Sequence, residues 1–154
     1  MVRIEKIIDI AKKYQQLLYV YINTNSQEQV ILDLKQVLIR KADSHYGIQI
    51  LEGLNNDIKL NLLDELLYVY LYGNDSDSYL AKMVILSIDR QKLEQVIQNK
   101  IWNYLNIANN DVEIITQLAQ LLYELKYELL LNKIKKQYYN VLVTSEFIDS
   151  SADS

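Results

Sequence analysis

The sequence repeats itself at an interval of 34 residues, and this period limits the folds that the chain can adopt. Asp43, Asp77 and Asp111 stand one interval apart. The units that begin at Asp43 and Asp77 also align along their apolar and aromatic positions: Leu62 with Val96, Leu63 with Ile97, Tyr68 with Trp102, Tyr70 with Tyr104, and Leu71 with Leu105. A period in this range is typical of stacked helical hairpins.

The residue composition favours helices in each unit. The 154-residue chain has no proline and three glycines, while half of its residues are apolar. A β-rich chain needs more turn-forming residues than this, whereas a mixture of Leu, Ile, Lys, Gln and Glu without helix breakers favours α-helix. The length fits one domain with a core of its own.

Charge and cysteine content exclude several classes of protein. The formal net charge of −4 argues against a nucleic-acid binder, and the absence of cysteine excludes disulfides and thiolate metal sites. The first residues, 1–13, are periodic and charged, unlike a signal peptide. The longest apolar run, 66–72, is far shorter than the ~20 residues that span a bilayer. These features predict a cytoplasmic protein that binds neither nucleic acid nor membrane.

The apolar spacing predicts helices separated by short polar loops. Their approximate ranges are 2–22, 26–41, 44–54, 57–72, 78–88, 90–107 and 111–139, the last with a break near Lys126. Asn25 and Asp89 stand at predicted helix N-caps, and Asp43, Asp77 and Asp111 are predicted loop or cap residues that mark the hairpin starts. Residues 1–143 are therefore predicted to form one helical-repeat domain, and the polar residues 144–154 a disordered tail.

The period and hairpin layout of residues 43–139 resemble HEAT-like α-helical repeats. The resemblance implies an all-α fold, a right-handed stack of three to four antiparallel helical hairpins forming an α-solenoid. The chain lacks the proline that is typical of the first HEAT helix. Tetratricopeptide repeats share the 34-residue period, and Gly47 and Ala81 suit their first small position. The second small position in the later helix is missing, so that alternative fits less well.

The sequence contains little catalytic chemistry. His45 is the one histidine, and no phosphate-binding loop, nucleophile elbow or zinc-protease motif is present. A calcium loop starting at Asp75 fails because its sixth and twelfth positions are leucines. Asp64 and Glu65 are adjacent on a helix, so their carboxylates point about 100° apart and do not converge. The chain is therefore predicted not to be an enzyme and to hold no metal or cofactor.

One helix face carries the strongest binding signal. The polar side of the predicted helix 57–72, together with its equivalents one period later, gives this candidate set: Asp57, Asn61, Asp64, Glu65, Tyr68, Tyr72, Gln98 and Trp102. Tyr68 and Trp102 are predicted to stack as a ladder on the concave surface. Exposed Tyr and Trp commonly anchor protein partners. The other interpretation is that these aromatic residues pack between repeats.

The charge along the predicted groove changes sign. The segment 52–77 has six acidic residues and one lysine, whereas the third unit is basic through Lys126, Lys133, Lys135 and Lys136. Such a gradient can orient a partner and raise its association rate.

The helical run LNNDIKLNLLDELLYVYLYGNDSD, residues 54–77, resembles small, acidic, helical toxin-immunity proteins. The many Ile, Asn, Lys and Tyr residues suit an AT-rich bacterial genome. The resemblance implies stoichiometric binding to a toxin domain, often a basic nuclease, with Asp64 and Glu65 mimicking its phosphate-rich substrate. The alternatives are an adaptor that binds a peptide in its groove and an enzyme that uses His45 with a carboxylate. The sequence leaves the oligomeric state open.

Overall fold

The computed structural model describes residues 1–148, and this part of the chain is built from helices, which confirms the all-α prediction. It contains ten helices and no strand within those residues. The helices are α1 (Ile4–Thr24), α2 (Gln27–Leu38), α3 (Ser44–Glu52), α4 (Asn56–Asn61), α5 (Leu63–Tyr72), α6 (Asp75–Ser87), α7 (Arg90–Ala108), α8 (Val112–Leu125), α9 (Glu128–Gln137) and α10 (Tyr139–Thr144).

Short polar side chains start half of these helices. A side-chain oxygen at the N-cap accepts a hydrogen bond from the backbone N–H three residues later in α2, α4, α6, α7 and α8. The predicted caps Asp89 and Asp111 are confirmed. The predicted cap Asn25 is wrong, because Ser26 caps α2 and Asn25 donates instead to the Tyr21 carbonyl at the end of α1.

Two predicted helices are interrupted. The predicted helix 57–72 divides at Leu62, which is fully buried and has non-helical dihedrals of φ −109° and ψ 13°. The predicted helix 111–139 breaks at Lys126, as expected, where the backbone adopts a left-handed conformation with φ 61°. A second break at Tyr138 separates α9 from α10.

The core is formed by α2 to α10. α5 packs on α2, α6 and α8, α3 packs between α2 and α6, and α8 packs against α7, α9 and α10. The apolar side predicted for residues 57–72 is confirmed, because Leu62, Leu63, Leu66, Val69 and Tyr70 are all buried. Because this apolar side is buried in the core, the opposite, polar side of α4 and α5 faces outward.

The beginning of the predicted tail is packed rather than free. Ile148 is buried, and its backbone N–H donates to the Leu142 carbonyl. Residues 149–154, the rest of the predicted tail, lie outside the described residues.

Polar contacts join positions about one period apart. Ser44 donates to Asp77, the backbone N–H of Asp89 donates to Asn56, and Arg90 donates to the Lys126 carbonyl. These pairs are separated by 33, 33 and 36 residues. Other polar contacts of the described residues span 28, 42 and 47 residues, so these three are a subset of the long-range contacts.

The first helix stands apart from this core. α1 has no buried residue, and Tyr21 in its last turn is its one hydrophobic side chain packed against the core of residues 1–148. Tyr21 also donates a hydrogen bond to Asp33 of α2. No helix in the described part of the chain is both long and apolar enough to cross a membrane.

Gly47 provides a test of the α2–α3 packing. A Cβ atom at Gly47 would lie 2.8 Å from Cγ1 of Val37 and 3.3 Å from Cδ2 of Leu38. Since Val side chains are rotationally stiff, we expect Gly47→Ala to lower the free energy of unfolding by about 1 kcal/mol, overpacking outweighing the gain in helix propensity. Urea unfolding followed by circular dichroism measures the change.

Gly53→Ala is the matched control. A Cβ at Gly53 would meet nothing closer than 3.9 Å, and the backbone there has φ −86° and ψ 1°, which alanine accepts. This substitution should leave stability unchanged or raise it by about 0.5 kcal/mol. Equal effects of the two substitutions would contradict close packing of α2 on α3.

Candidate protein-binding site

Two tyrosines form the most exposed aromatic group on the predicted face. Tyr68 and Tyr72 lie one turn apart on α5 and remain 54% and 49% exposed. Their ring centroids are 5.1 Å apart with the planes tilted by 42°. Because the buried side of α5 fixes the rotation of the helix, both rings face outward together.

The carboxylates beside these tyrosines are partly neutralised by α7. Lys100 donates to Asp64 at 2.7 Å, and Lys92 lies 3.7 Å from Asp57. Glu65 is half-buried, and its Oε2 atom has no hydrogen-bond partner among the described residues. The outward side of α4 and α5 is therefore acidic, but the carboxylates of Asp57 and Asp64 already have lysine partners.

Tyr104 of α7, which the sequence aligns with Tyr70, also lies beside Asp64. It is half-buried, and its hydroxyl lies 3.5 Å from the Asp64 carbonyl. Burial raises its pKa to about 12, and the nearby charges of Asp64, Tyr72 and Glu65 act in the same direction. The phenol is therefore held in its neutral form beside the carboxylates.

Gln98 and Trp102 lie on another flank of α7. Lys100 and Tyr104 face α5, and Gln98 is about 200° around the helix from Lys100 because each residue turns the chain by about 100°. Gln98 borders an open depression with Gln91, Glu94 and Gln95, and Trp102 is half-buried against the core.

The predicted ladder of Tyr68 over Trp102 is not among the ring contacts of residues 1–148, where Tyr68 pairs with Tyr72. Gln98 and Trp102 have the same spacing of four as Lys100 and Tyr104, so the sequence holds no signal that identifies the flank of α7 facing α5. Gln98 and Trp102 are the positions that follow Asp64 and Tyr68 by 34 residues. A period along the chain does not fix how α7 is rotated against α5, so it does not determine which side chains of α7 meet α5.

A groove opens beside the two tyrosines. It has a volume of about 440 Å³ and runs between the C-terminal end of α2 and the outer side of α5. Its lining residues are Leu38, Ile39, Lys41, Ser44, Tyr68, Val69, Tyr72, Gly73, Asn74 and Asp77. Apolar walls with a few polar groups are typical of pockets that accept a ligand or a partner side chain.

Asp77 is a buried acidic residue in the lining of this groove. It was predicted as a loop or cap residue, but α6 begins at Asp75 and is capped by Asn74, so this prediction is wrong. Asp77 is only 6% exposed, and its carboxylate accepts hydrogen bonds from the Ser44 hydroxyl and from His45 Nδ1, both at 2.9 Å. It therefore ties α3 to α6.

The three side chains do not form a nucleophilic triad. Ser44 donates to Asp77 rather than to His45, so the imidazole is not placed to take the hydroxyl proton as it does in a triad. With a proton on Nδ1, neutral His45 presents Nε2 as an acceptor to Gln49 at 3.3 Å.

Asp43 stands at the N-cap of α3 without a capping hydrogen bond, and its carboxylate lies 3.5 Å from the Arg40 guanidinium.

No cluster of three or more His, Cys, Asp or Glu residues suited to a metal ion occurs in residues 1–148.

No protein-family model, no curated protein and no solved structure matches this chain. Any function must therefore be argued from the geometry of the groove and the tyrosine pair.

Removing Asp77 should destabilise the fold. Asp77→Ala leaves the buried Ser44 hydroxyl with only the Lys41 carbonyl, 3.5 Å away, as an acceptor and releases His45, so we expect the free energy of unfolding to fall by about 2 kcal/mol. Asp77→Asn keeps one acceptor and should cost less. Chemical denaturation gives both values.

Asp75→Ala is the control for a carboxylate in the same helical turn. Asp75 is exposed and interacts with the rest of the chain mainly through the α6 dipole, so its loss should cost about 0.5 kcal/mol. If Asp77→Ala lowers the free energy of unfolding by no more than Asp75→Ala does, the hydrogen bonds of Asp77 between α3 and α6 do not stabilise the fold.

The raised pKa of Tyr104 predicts an alkaline loss of stability. The folded value of about 12 lies above the ordinary value of 10.0, so the stabilisation is fully present below pH 10 and is lost as the pH rises to 12. Because Tyr104 is half-exposed, we expect about 1 kcal/mol from this residue.

Urea unfolding between pH 9 and pH 12 tests this expectation. The decline in stability should be shallower for Tyr104→Phe, since phenylalanine does not ionise. Tyr123→Phe removes a well-exposed phenol from α8 and should leave the steepness of the decline unchanged. An identical profile for wild type and Tyr104→Phe would contradict the assigned burial effect.

Proposed function

We propose that the protein is a helical-repeat binding protein whose partner is another protein, and that it acts as an immunity protein that neutralises a bacterial toxin by stoichiometric binding. The observation that carries this proposal is the exposed Tyr68–Tyr72 pair at the rim of the groove, beside Asp64 and Glu65. Tyrosine buries a large area at low entropic cost, which makes it a common anchor of protein interfaces.

The repeat arrangement is part of the same proposal. We infer that the hairpins form a right-handed HEAT-like stack, in which equivalent loops of successive units lie side by side. The contacts between residues 33 to 36 apart, together with α3 packing on α6 and α6 on α8, support this arrangement. In such stacks one face of successive helices is free to bind a partner.

The groove suits an apolar side chain of the partner. Leu38 and Val69 are only 2% and 5% exposed, so the accessible apolar surface comes from Ile39 and from the rings of Tyr68 and Tyr72 at the rim. Burial of one such anchor, surrounded by contacts that exclude water, is the usual origin of strong binding at a small interface.

The carboxylates suit a basic partner. The ion pairs of Asp57 with Lys92 and of Asp64 with Lys100 are at least partly exposed, and such pairs contribute about 0 to 1 kcal/mol. Cationic groups of a partner can therefore replace the two lysines at little cost. In a nuclease toxin those groups would be the ones that hold nucleic-acid phosphates, with Asp64 and Glu65 in the phosphate position.

An adaptor that binds a peptide is the second candidate, favoured by the partly enclosed 440 Å³ groove. An immunity protein binds one folded toxin domain tightly and abolishes its activity at a one-to-one ratio. An adaptor binds short apolar segments of several proteins more weakly and inhibits none. Titration calorimetry with a candidate toxin and with peptides from it separates the two.

Replacing both tyrosines should remove most of the affinity. Tyr68→Ala and Tyr72→Ala should each weaken the complex with the toxin domain by about 2 kcal/mol, or roughly 30-fold. The fold should persist because both rings are half-exposed. Calorimetry measures the affinity, and circular dichroism verifies the fold.

Tyr123→Ala removes an equally exposed tyrosine from α8, outside the residues that line the groove, and should leave the affinity unchanged. Full affinity of the folded double variant Tyr68→Ala/Tyr72→Ala would rule out this surface. Unfolding of the same variant would instead show that the tyrosines pack between repeats.

A further inference from the structure

The apolar face of α1 is uncovered in the single chain. Six of its large apolar side chains are between 45% and 62% exposed: Ile4, Ile7, Ile8, Ile10, Tyr14 and Leu17. Monomeric proteins rarely expose a contiguous apolar surface of this size. The face is separate from the groove beside Tyr68 and Tyr72, whose lining includes no residue of α1.

The spacing of this face is that of a helix that pairs with another helix. Ile4, Ile7, Ala11, Tyr14 and Leu18 follow one another at intervals of three and four. The next position of the series, Tyr21, already packs against the core of its own chain. This is the a and d pattern of a coiled-coil seam, which presents one narrow stripe to a partner helix. A lipid surface imposes no such register.

We propose that α1 pairs in antiparallel orientation with α1 of a second copy of this chain, making the protein a homodimer. Symmetric two-fold dimers are the commonest oligomers, and in them one patch is complementary to itself. The interface would lie outside the groove, so each copy would keep its own proposed partner site.

The charges of α1 favour the antiparallel orientation. All of its charged side chains lie in its first half, with three basic and two acidic groups, and Arg3 at the N-cap adds a fourth basic group; residues 14–24 carry no charge. A parallel pair would set the two basic halves side by side. An antiparallel pair sets each basic half against the uncharged half of the other helix and also opposes the two helix dipoles.

The same orientation brings each basic half toward an acidic body. Residues 25–154 carry 12 basic and 18 acidic side chains, in contrast to the basic excess of residues 1–24. In the antiparallel pair the N-terminal half of one α1 points toward the α2 end of the other copy. Opposite charges thus meet across the dimer.

The seam residues also fit one another in size. In the register that pairs Ile7 with Leu18 of the second copy, Ala11 lies opposite Tyr14, so a small residue faces a large ring. On one flank Ile10 then lies opposite Leu17 of the second copy. On the other flank Ile8 lies opposite Gln15 of the second copy, so the register pairs apolar side chains along the stripe and on one of its two flanks.

The area is sufficient for a specific dimer. With about half of each side chain exposed, the six large apolar residues present roughly 600 Å² per copy. The pair would bury about 1,200 Å², which reaches the lower limit of stable specific interfaces. A lipid surface fits less well, because Glu5 and Asp9 share the polar side of α1 and the chain as a whole is acidic.

Sedimentation velocity of the full chain tests the proposal. We expect the wild type to sediment as a dimer, and Ile7→Glu and Tyr14→Glu to sediment as monomers that keep the core fold. Gln16→Glu adds the same charge on the polar side of α1 and should remain dimeric. A wild type that stays monomeric up to about 100 µM, or dimers that survive both seam substitutions, would overturn the proposal.

Disulfide trapping tests the orientation and does not depend on the glutamate variants. The chain has no cysteine, so single substitutions are unambiguous. Ile7→Cys mixed with Leu18→Cys should cross-link on oxidation, whereas Ile7→Cys alone should not. Cross-linking of Ile7→Cys with itself would overturn the antiparallel pairing, and binding of a monomeric wild type to anionic vesicles would assign the face to lipid.

Discussion

The burial of one side of α5 is the constraint on which the rest of the structure depends. Leu63, Leu66 and Leu67 are fully buried, and α5 packs on α2, α6 and α8 at the same time. Since the buried side cannot rotate without exposing these residues, the opposite side is fixed outward. Tyr68 and Tyr72 are therefore held at the rim of the groove by the core itself.

Asp77 fixes the position of the other wall of the groove. Its buried carboxylate holds Ser44 and His45 and so fixes α3 against α6, just where α2 turns into α3. A buried carboxylate is stable only with such donors. The groove is consequently lined by fixed helices on both sides. If it binds the proposed partner, little entropy is lost in ordering its walls.

Local sequence signals were enough for the helices and several of their ends. The helices follow from the absence of proline and from the apolar periodicity, and two of the helix starts follow from the caps Asp89 and Asp111. These signals act within a few residues of the chain, so they can be recognised in the sequence. The break at Leu62, the burial of Asp77 and the rotation of α7 could not be read in this way. Each depends on which neighbouring helix a side chain meets.

The sequence by itself determined an all-α chain with a 34-residue period, an outward polar side on α4 and α5, and an amphipathic first helix. Tertiary structure alone decided that Lys100 and Tyr104, rather than Gln98 and Trp102, lie beside Asp64. It also left the apolar face of α1 uncovered. The physical reason is that periodicity fixes the sides of a helix, whereas packing chooses which neighbour each side faces.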